Sequence, residues 1–219
     1  MYNLILKDML IQKKMFIWGF AYILLMTMAF QSTGGAMFPA GVMALTYILA
    51  QTACASDDKN KTDIMLNSLP LSRESIVLAR YISIFVFATI GIIYYLVVAL
   101  IINNLAIPFK VTPVTIEGIL AALFAVVFIN GIYFPIFFKV GYIKARIINF
   151  VLFFGVFFGI GAMAGFVKEN LDMKYGKEIV SWFQGQPDAG IAALIILIMS
   201  VMFWVSYLLS VKFYRAREF

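Results

Sequence analysis

Six long stretches of the chain contain no Asp, Glu, Lys or Arg. They are 17 to 23 residues long and together make up 124 of the 219 residues. The stretches are Met15–Gln31, Ala36–Ala55, Tyr81–Ile102, Gly118–Phe138, Ile147–Val167 and Ala189–Val211. About 20 apolar residues in a helix cross the hydrocarbon core of a bilayer, and none of these stretches alternates as a barrel strand does. The pattern predicts an all-α membrane protein with six transmembrane helices in a single domain, residues 1–219.

Composition supports burial in lipid and excludes several kinds of chemistry. Apolar residues make up 63% of the chain and charged residues 13%, about half the usual share in soluble proteins. The chain has no histidine and a single cysteine, Cys54. Histidine-based metal sites, Ser-His and Cys-His nucleophiles and an intrachain disulfide are therefore excluded. The absence of charge within the six stretches also argues against a transporter coupled to protons or sodium ions.

The basic residues are distributed unevenly between the two sides of the predicted bundle. One side carries 13 of the 17, and this set is Lys7, Lys13, Lys14, Lys59, Lys61, Arg73, Arg80, Lys139, Lys144, Arg146, Lys212, Arg215 and Arg217. The other side carries Lys110, Lys168, Lys174 and Lys177. Because short cytoplasmic loops carry the excess of Lys and Arg, we expect both termini to be cytoplasmic.

Two segments outside the stretches have patterns of their own. Residues 1–14 predict an amphipathic helix in the inner headgroup layer, with Ile5, Leu6 and Met9 on one face and Asn3, Lys7 and Lys14 on another. The alternative is a simple continuation of the first span. The outer segment, Lys168–Asp188, predicts short interfacial or re-entrant helices, with a flexible loop as the alternative.

The connection between the second and third stretches, residues 56–80, has the most specific pattern. Thr62 is predicted to cap a short helix over Asp63–Leu69 that Pro70 ends. Ser72 is predicted to cap a second helix that continues through Arg80 into the third span. Such a short helix, tied rigidly to a span, is suited to receive a mechanical push. An ordinary solvated loop remains the alternative.

A metal-dependent lipid enzyme is a further interpretation of this connection. Asp57, Asp58 and Asp63 loosely match aspartate-rich magnesium motifs. However, Lys59 and Lys61 interrupt the pattern, and the inner side has no second acidic cluster. A phosphate loop at Gly176-Lys177 is excluded because position 171 is Leu instead of Gly.

The same connection resembles a signature of small bacterial permeases of the type-2 ATP-binding-cassette (ABC) exporter family. That signature is approximately D-E-K-N-K-x-x…S-L-P-V-S-R-x-x-I-V-x-x-K-Y, and it follows the second span. The matching residues here are Asp57–Lys61, Ser68–Glu74, Ile76-Val77 and Arg80-Tyr81. The departures are conservative: Asp58 for Glu, Leu71 for Val and Arg80 for Lys.

The resemblance implies a mechanism without chemistry on this chain. The short helix would be a coupling helix that contacts a separate cytoplasmic ATPase subunit, through Asp63, Ile64, Met65, Leu66, Asn67 and Leu69. Tyr142 and Lys144 in the second cytoplasmic loop would add a contact. Two permease chains and two ATPase chains would form the transporter, with ATP and magnesium bound by the ATPase.

The resemblance also implies a location and a cargo. It places the chain in the bacterial cytoplasmic membrane and favours export of a hydrophobic or amphipathic peptide, such as a bacteriocin or toxin. The alternative from another functional class is a membrane immunity or scaffold protein that acts by binding a partner without transport.

Overall fold

The structure, a computed structural model, describes residues 2–104, 111–148, 150–151, 154–155 and 188–217. Within these ranges the regular elements are helical and no strand is present. Seven α-helices have defined bounds. They are α1 (Tyr2–Ile11), α2 (Lys13–Ala29), α3 (Met37–Lys59), α4 (Thr62–Asn67), α5 (Arg73–Asn104), α6 (Ile116–Val140) and α7 (Asp188–Arg215). A 3₁₀ helix, Gln31–Ala36, joins α2 to α3, and residues 142–148 are also helical.

Four of these helices are long and apolar enough to cross a membrane: α3, α5, α6 and α7. They correspond to the second, third, fourth and sixth uncharged stretches. Helices α1 and α2 taken together are also long and apolar enough to cross a membrane, but they are bent by 70° relative to each other. The described residues therefore contain four candidate spans, or five if the bent pair is counted as one. Most of the fifth predicted span and the outer segment Lys168–Asp188, apart from Asp188, lie outside the described residues.

Helix α3 lies at the centre of the bundle. It packs against α1, α2, α4, α5 and α6, whereas α7 packs against α6 and α5. Glycines permit two close approaches: a Cβ on Gly19 of α2 would lie 3.2 Å from Leu45 of α3, and one on Gly91 of α5 would lie 3.5 Å from Val42 of α3. Small residues at such positions let membrane helices approach closely, which increases dispersion contacts.

The charged ends of the long helices extend past the apolar stretches. Helix α3 continues to Lys59 and α5 begins at Arg73, so Asp57 and Arg80 are helical and buried. The predicted helix start after Ser72 is confirmed, since Ser72 Oγ accepts a hydrogen bond from the backbone N–H of Ser75 at 3.2 Å. Helix α6 begins similarly after Thr115, whose side chain accepts from the N–H of Gly118 at 3.1 Å.

Helix α1 differs from the predicted distribution of its faces. Tyr2, Leu6 and Leu10, spaced four residues apart, are exposed. In contrast, Asp8 is buried and the Lys7 ammonium lies against Asp57 of α3. Lys7 therefore does not share an outward polar face with Asn3. The spacing of apolar residues does not predict that Lys7 and Asp8 face inward, because charged side chains enter a protein interior when they form ion pairs there.

Candidate functional site

Helix α4 occupies the connection between α3 and α5. The chain turns at Lys61, a non-glycine residue with a left-handed φ of 49°, and the helix begins at Thr62. The predicted capping role of Thr62 is wrong, because Thr62 is the first helical residue and no side chain caps this end. Its side chain is buried instead. The predicted extent, Asp63–Leu69, is shifted, since the helix spans Thr62–Asn67.

The helix ends before Pro70 is reached. The backbone N–H of Ser68 donates to the carbonyls of Ile64 and Met65, both at 3.2 Å. The Ser68 hydroxyl donates to the Met65 carbonyl at 2.7 Å. These bonds satisfy carbonyls that would otherwise lack partners at a helix C-terminus, so Ser68 contributes to ending α4.

The predicted contact residues of α4 lie on two different faces. Ile64, Met65 and Leu69 are 57%, 57% and 47% exposed, while Leu66 is 5% exposed and packs into the core. The side chains of Asp63 and Asn67 lie outside the described residues. Leu66 therefore anchors α4 in the bundle, while its exposed side presents Ile64 and Met65, and Leu69 is exposed two residues after the helix ends.

The second predicted contact segment follows α6. Gly141 ends that helix with a φ of 81°, a backbone conformation that side-chain-bearing residues rarely adopt. Residues 142–148 are then helical, with Tyr142 partly buried against the core and Lys144 exposed. Ile143 beside them is strongly exposed.

A buried group of four charges lies beneath α4, and the sequence reasoning did not identify it. We call it the Arg80 cluster: Lys7 and Asp8 of α1, Asp57 of α3 and Arg80 of α5. Arg80 Nη1 lies 2.9 Å from Asp8 Oδ2, and Arg80 Nη2 donates to Asp57 Oδ2. Lys7 Nζ lies 2.8 Å from Asp57 Oδ1 and 3.4 Å from Asp8 Oδ1. The cluster therefore joins three helices.

The cluster is balanced in charge and closely packed. Two cations face two carboxylates, and Ser83 of α5 adds a hydroxyl 3.0 Å from Asp8 Oδ2. Burial, followed by the nearby Arg80 guanidinium, lowers the pKa of the Lys7 ammonium from its ordinary value. A cavity of about 20 Å³, roughly room for one water molecule, borders the cluster and is also lined by Leu66, Phe137 and Phe138.

A weak signal for this cluster was present in the sequence. Asp57 lies two residues after the second uncharged stretch, and Arg80 lies one residue before the third. Both positions fall within one helical turn of apolar sequence. Because the second stretch ends before Asp57 and the third begins after Arg80, both side chains fall in the predicted cytoplasmic connection, residues 56–80, and nothing in the sequence pattern predicts that they pair.

A second polar contact joins the start of α5 to the end of α7. Arg73 Nη1 donates to the carbonyl of Arg215 at 2.7 Å and to that of Tyr214 at 3.3 Å. Glu74 pairs with Arg215 at the surface. Since cations bind well to the free carbonyls of a helix C-terminus, Arg73 ties the segment after α4 to the last span.

The described residues give no support to the metal-dependent enzyme interpretation. Among the described residues, no group of three or more His, Cys, Asp or Glu side chains could hold a metal ion. Asp57, which the lipid-enzyme interpretation needs for magnesium, is buried and paired with Arg80 and Lys7. What the site does offer is an exposed apolar helix seated on a rigid ionic base.

Comparison with known proteins identifies the family of the chain. Neither the curated proteins nor the solved structures that were searched include a match to the chain. A family profile described as ABC-2 family transporter protein matches residues 3–215. This match covers nearly all of the sequence, from α1 to the end of α7. The chain is thus a multi-pass membrane protein that belongs to the ABC-2 transporter family.

Proposed function

We propose that the chain is the permease subunit of an ABC exporter and that α4 is its coupling helix. The observation that carries this proposal is the exposure of Ile64 and Met65 on a helix that Leu66 anchors in the bundle, with Leu69 exposed just after the end of the helix. Exposed apolar side chains grouped on one face are typical of a protein–protein contact. A separate cytoplasmic ATPase subunit would cover this face.

Lipid is a poor candidate to cover the same face. A helix of six residues is far too short to cross a bilayer. The flanking sequence is rich in charge, with Asp58, Lys59 and Lys61 before it and Arg73 after it, all of which favour water. Burying each half-exposed side chain against a partner would contribute roughly 1 kcal/mol. Three such side chains make a small but specific apolar contact.

The proposed topology follows the distribution of basic residues. Six spans, with 13 of the 17 Lys and Arg on one side, place both termini and α4 in the cytoplasm. Helix α1 would lie along the inner headgroup layer, where the exposed Tyr2, Leu6 and Leu10 would contact lipid. The membrane is proposed to be the bacterial cytoplasmic membrane.

The proposed assembly contains two permease chains and two ATPase chains. ATP and magnesium would bind the ATPase chains, and their closure would push α4 against the bundle. The helix formed by residues 142–148 would add a second ATPase contact through Tyr142 and Lys144. The alternative is a membrane immunity or scaffold protein that acts by binding a partner. Its protective or scaffolding effect would survive inactivation of the ATPase, whereas export would not.

A hydrophobic or amphipathic peptide, such as a bacteriocin or toxin, is the proposed cargo. The uncharged stretches are rich in aromatic residues, and the chain as a whole contains 22 Phe and 11 Tyr. Such a surface suits an apolar cargo better than a hydrated ion, because an ion would need polar groups to replace its water. The direction of transport is proposed from the family resemblance.

Co-purification tests the proposed partnership directly. We expect a neighbouring reading frame to encode a phosphate-loop ATPase, and the chain expressed with that ATPase is expected to retain it through affinity purification. ATP hydrolysis is expected to respond to candidate peptides only when both chains are present. Failure of the two chains to associate would contradict the proposal.

A pair of matched variants tests the role of α4. The double variant Ile64→Glu with Met65→Glu is expected to abolish ATPase binding while leaving membrane insertion intact. The control, Lys59→Gln with Asn60→Glu, changes the net charge by the same amount at exposed positions of the same connection. Equal loss of binding in both variants, or normal transport by the first, would place the coupling contact elsewhere.

A further inference from the structure

The Arg80 cluster closes the base of the connection that carries α4. Asp57 lies five residues before the start of α4, and Arg80 lies 13 residues after its end. Their ion pair therefore fixes both ends of the intervening segment, residues 58–79. On the other side of the same guanidinium, Asp8 ties α1 to α5. One buried side chain thus holds two separate elements.

Helix α4 rests directly on this base. Leu66, its buried side chain, lines the same narrow cavity as Asp57 and Arg80, together with Ile76 and Ala79 of α5. A shift of the ion pair would change the surface on which Leu66 sits. The exposed face of α4 would then move as well, because Leu66 and Met65 are adjacent residues of one short helix.

The chemistry of arginine suits it to hold two partners at once. Its guanidinium presents several N–H donors in a rigid plane and does not lose its proton in proteins. Here Nη1 faces Asp8 while Nη2 faces Asp57. Because breaking a buried pair leaves an uncompensated charge, each contact strongly favours the fully paired arrangement.

We infer that Arg80 is a positioning residue that sets the orientation of α4 through Asp57 and supports the docking of α1 through Asp8. This inference rests on the proposed function only in naming what α4 contacts. Because Lys7 of α1 also pairs with Asp57, the two carboxylates predict unequal effects: loss of Asp57 should release α4 more than α1, and loss of Asp8 should release α1 alone. A general contribution to stability would affect both elements together.

Two isosteric variants of the full chain distinguish these cases. Asp57→Asn and Asp8→Asn remove the same charge from the same guanidinium, but only Asp57 closes the segment that carries α4. Helix α1 is held at two points, by Asp8 on Arg80 and by Lys7 on Asp57. The rate of thiol labelling in lipid nanodiscs reports the release of each helix. The background is Cys54→Ala, and the single reporter cysteine is Leu66→Cys on α4 or Leu4→Cys on α1. Leu66 is buried and Leu4 partly buried, and both line the cavity.

Different patterns are expected in the two variants. Asp57→Asn should accelerate labelling at position 66 at least on the order of tenfold, and labelling at position 4 clearly less, because Asp8 still holds α1 to Arg80. Asp8→Asn should accelerate labelling at position 4 on the order of tenfold and change position 66 less than about twofold. Equal acceleration at both positions in both variants, or at neither position, would overturn the inference.

Two further variants separate the contact from its charge. Lys7→Gln added to Asp57→Asn restores a net charge of zero, and labelling at position 66 should remain fast. If labelling slows to the native rate, charge balance rather than the contact holds α4. If Asp57→Asn fails to insert into the membrane, Arg80→Lys replaces it. Lysine keeps the positive charge but has one terminal nitrogen and cannot contact Asp8 and Asp57 as Nη1 and Nη2 do, so labelling at both positions should accelerate. Native labelling rates in Arg80→Lys would refute the positioning role.

These measurements need no ATPase. If Asp57→Asn releases α4 but the unsubstituted chain binds no ATPase, the positioning role is supported and the proposed function is contradicted. Normal ATPase binding with unchanged labelling in all variants would support the proposed function and contradict the positioning role.

Discussion

The Tyr81 hydroxyl joins α5 to α7, and its removal should lower the stability of the bundle measurably. Tyr81 of α5 is 1% exposed, and its hydroxyl contacts the Oγ atoms of Ser206 and Ser210 on α7, the second at 2.8 Å. Ser206 Oγ also donates to the carbonyl of Gly131 on α6. Replacing Tyr81 with Phe removes both serine contacts. The ring remains packed against Phe134, Phe203 and Tyr207.

The expected magnitude follows from the partners that remain. Ser206 keeps its bond to Gly131, and Ser210 can turn its hydroxyl to a carbonyl of its own helix. Hydrogen bonds between membrane helices contribute about 0.6 kcal/mol on average, with a maximum near 1.7 kcal/mol. The two lost contacts together predict a decrease in the free energy of unfolding of about 1 to 1.5 kcal/mol, roughly a tenfold change in the unfolding equilibrium.

Reversible unfolding in mixed SDS micelles would measure this change. Ser200→Ala is the control for the loss of a hydroxyl, because Ser200 of α7 is exposed and donates to the Ile196 carbonyl of its own helix at 2.8 Å. The control is expected to alter stability by less than about 0.5 kcal/mol. Ser210→Ala should cost less in the Tyr81→Phe background than alone, since the two groups share one contact. Additive effects, or no loss in Tyr81→Phe, would refute the assigned hydrogen bonds.

Three further substitutions test local features of the fold. Gly141→Ala places a side chain at a φ of 81° and should lower the free energy of unfolding by about 1 to 3 kcal/mol; an unchanged midpoint in thermal denaturation would contradict this conformation. Thr115→Ala removes the cap of α6 and should cost about 1 kcal/mol, whereas Thr115→Ser should be nearly neutral. Arg73→Gln removes the charged donor at the end of α7, so amide exchange of residues 212–217 should accelerate while that of residues 195–205 stays constant.

Residues near the ends of apolar stretches show where sequence reasoning succeeded and where it did not. The third span and its capped start at Ser72 were predictable, because capping and apolar length are local properties of the chain. The start of α4 was not, since Thr62 is turned into the bundle instead of capping the helix. The exposure of Ile64 and Met65 also required the structure. Apolar side chains in a short helix could equally have faced the core.

The sequence by itself determined that this chain is helical, lies in a membrane and resembles a type-2 ABC permease. A bilayer offers the backbone no hydrogen-bonding partner, so a spanning segment must be a helix or a strand of a closed barrel. The uncharged stretches of 17 to 23 residues do not alternate as barrel strands do, so they must cross as helices. Only the tertiary structure decided that Lys7, Asp8, Asp57 and Arg80 meet. They come from three helices separated by up to 73 positions, and only the packing of those helices brings their charges close enough to pair.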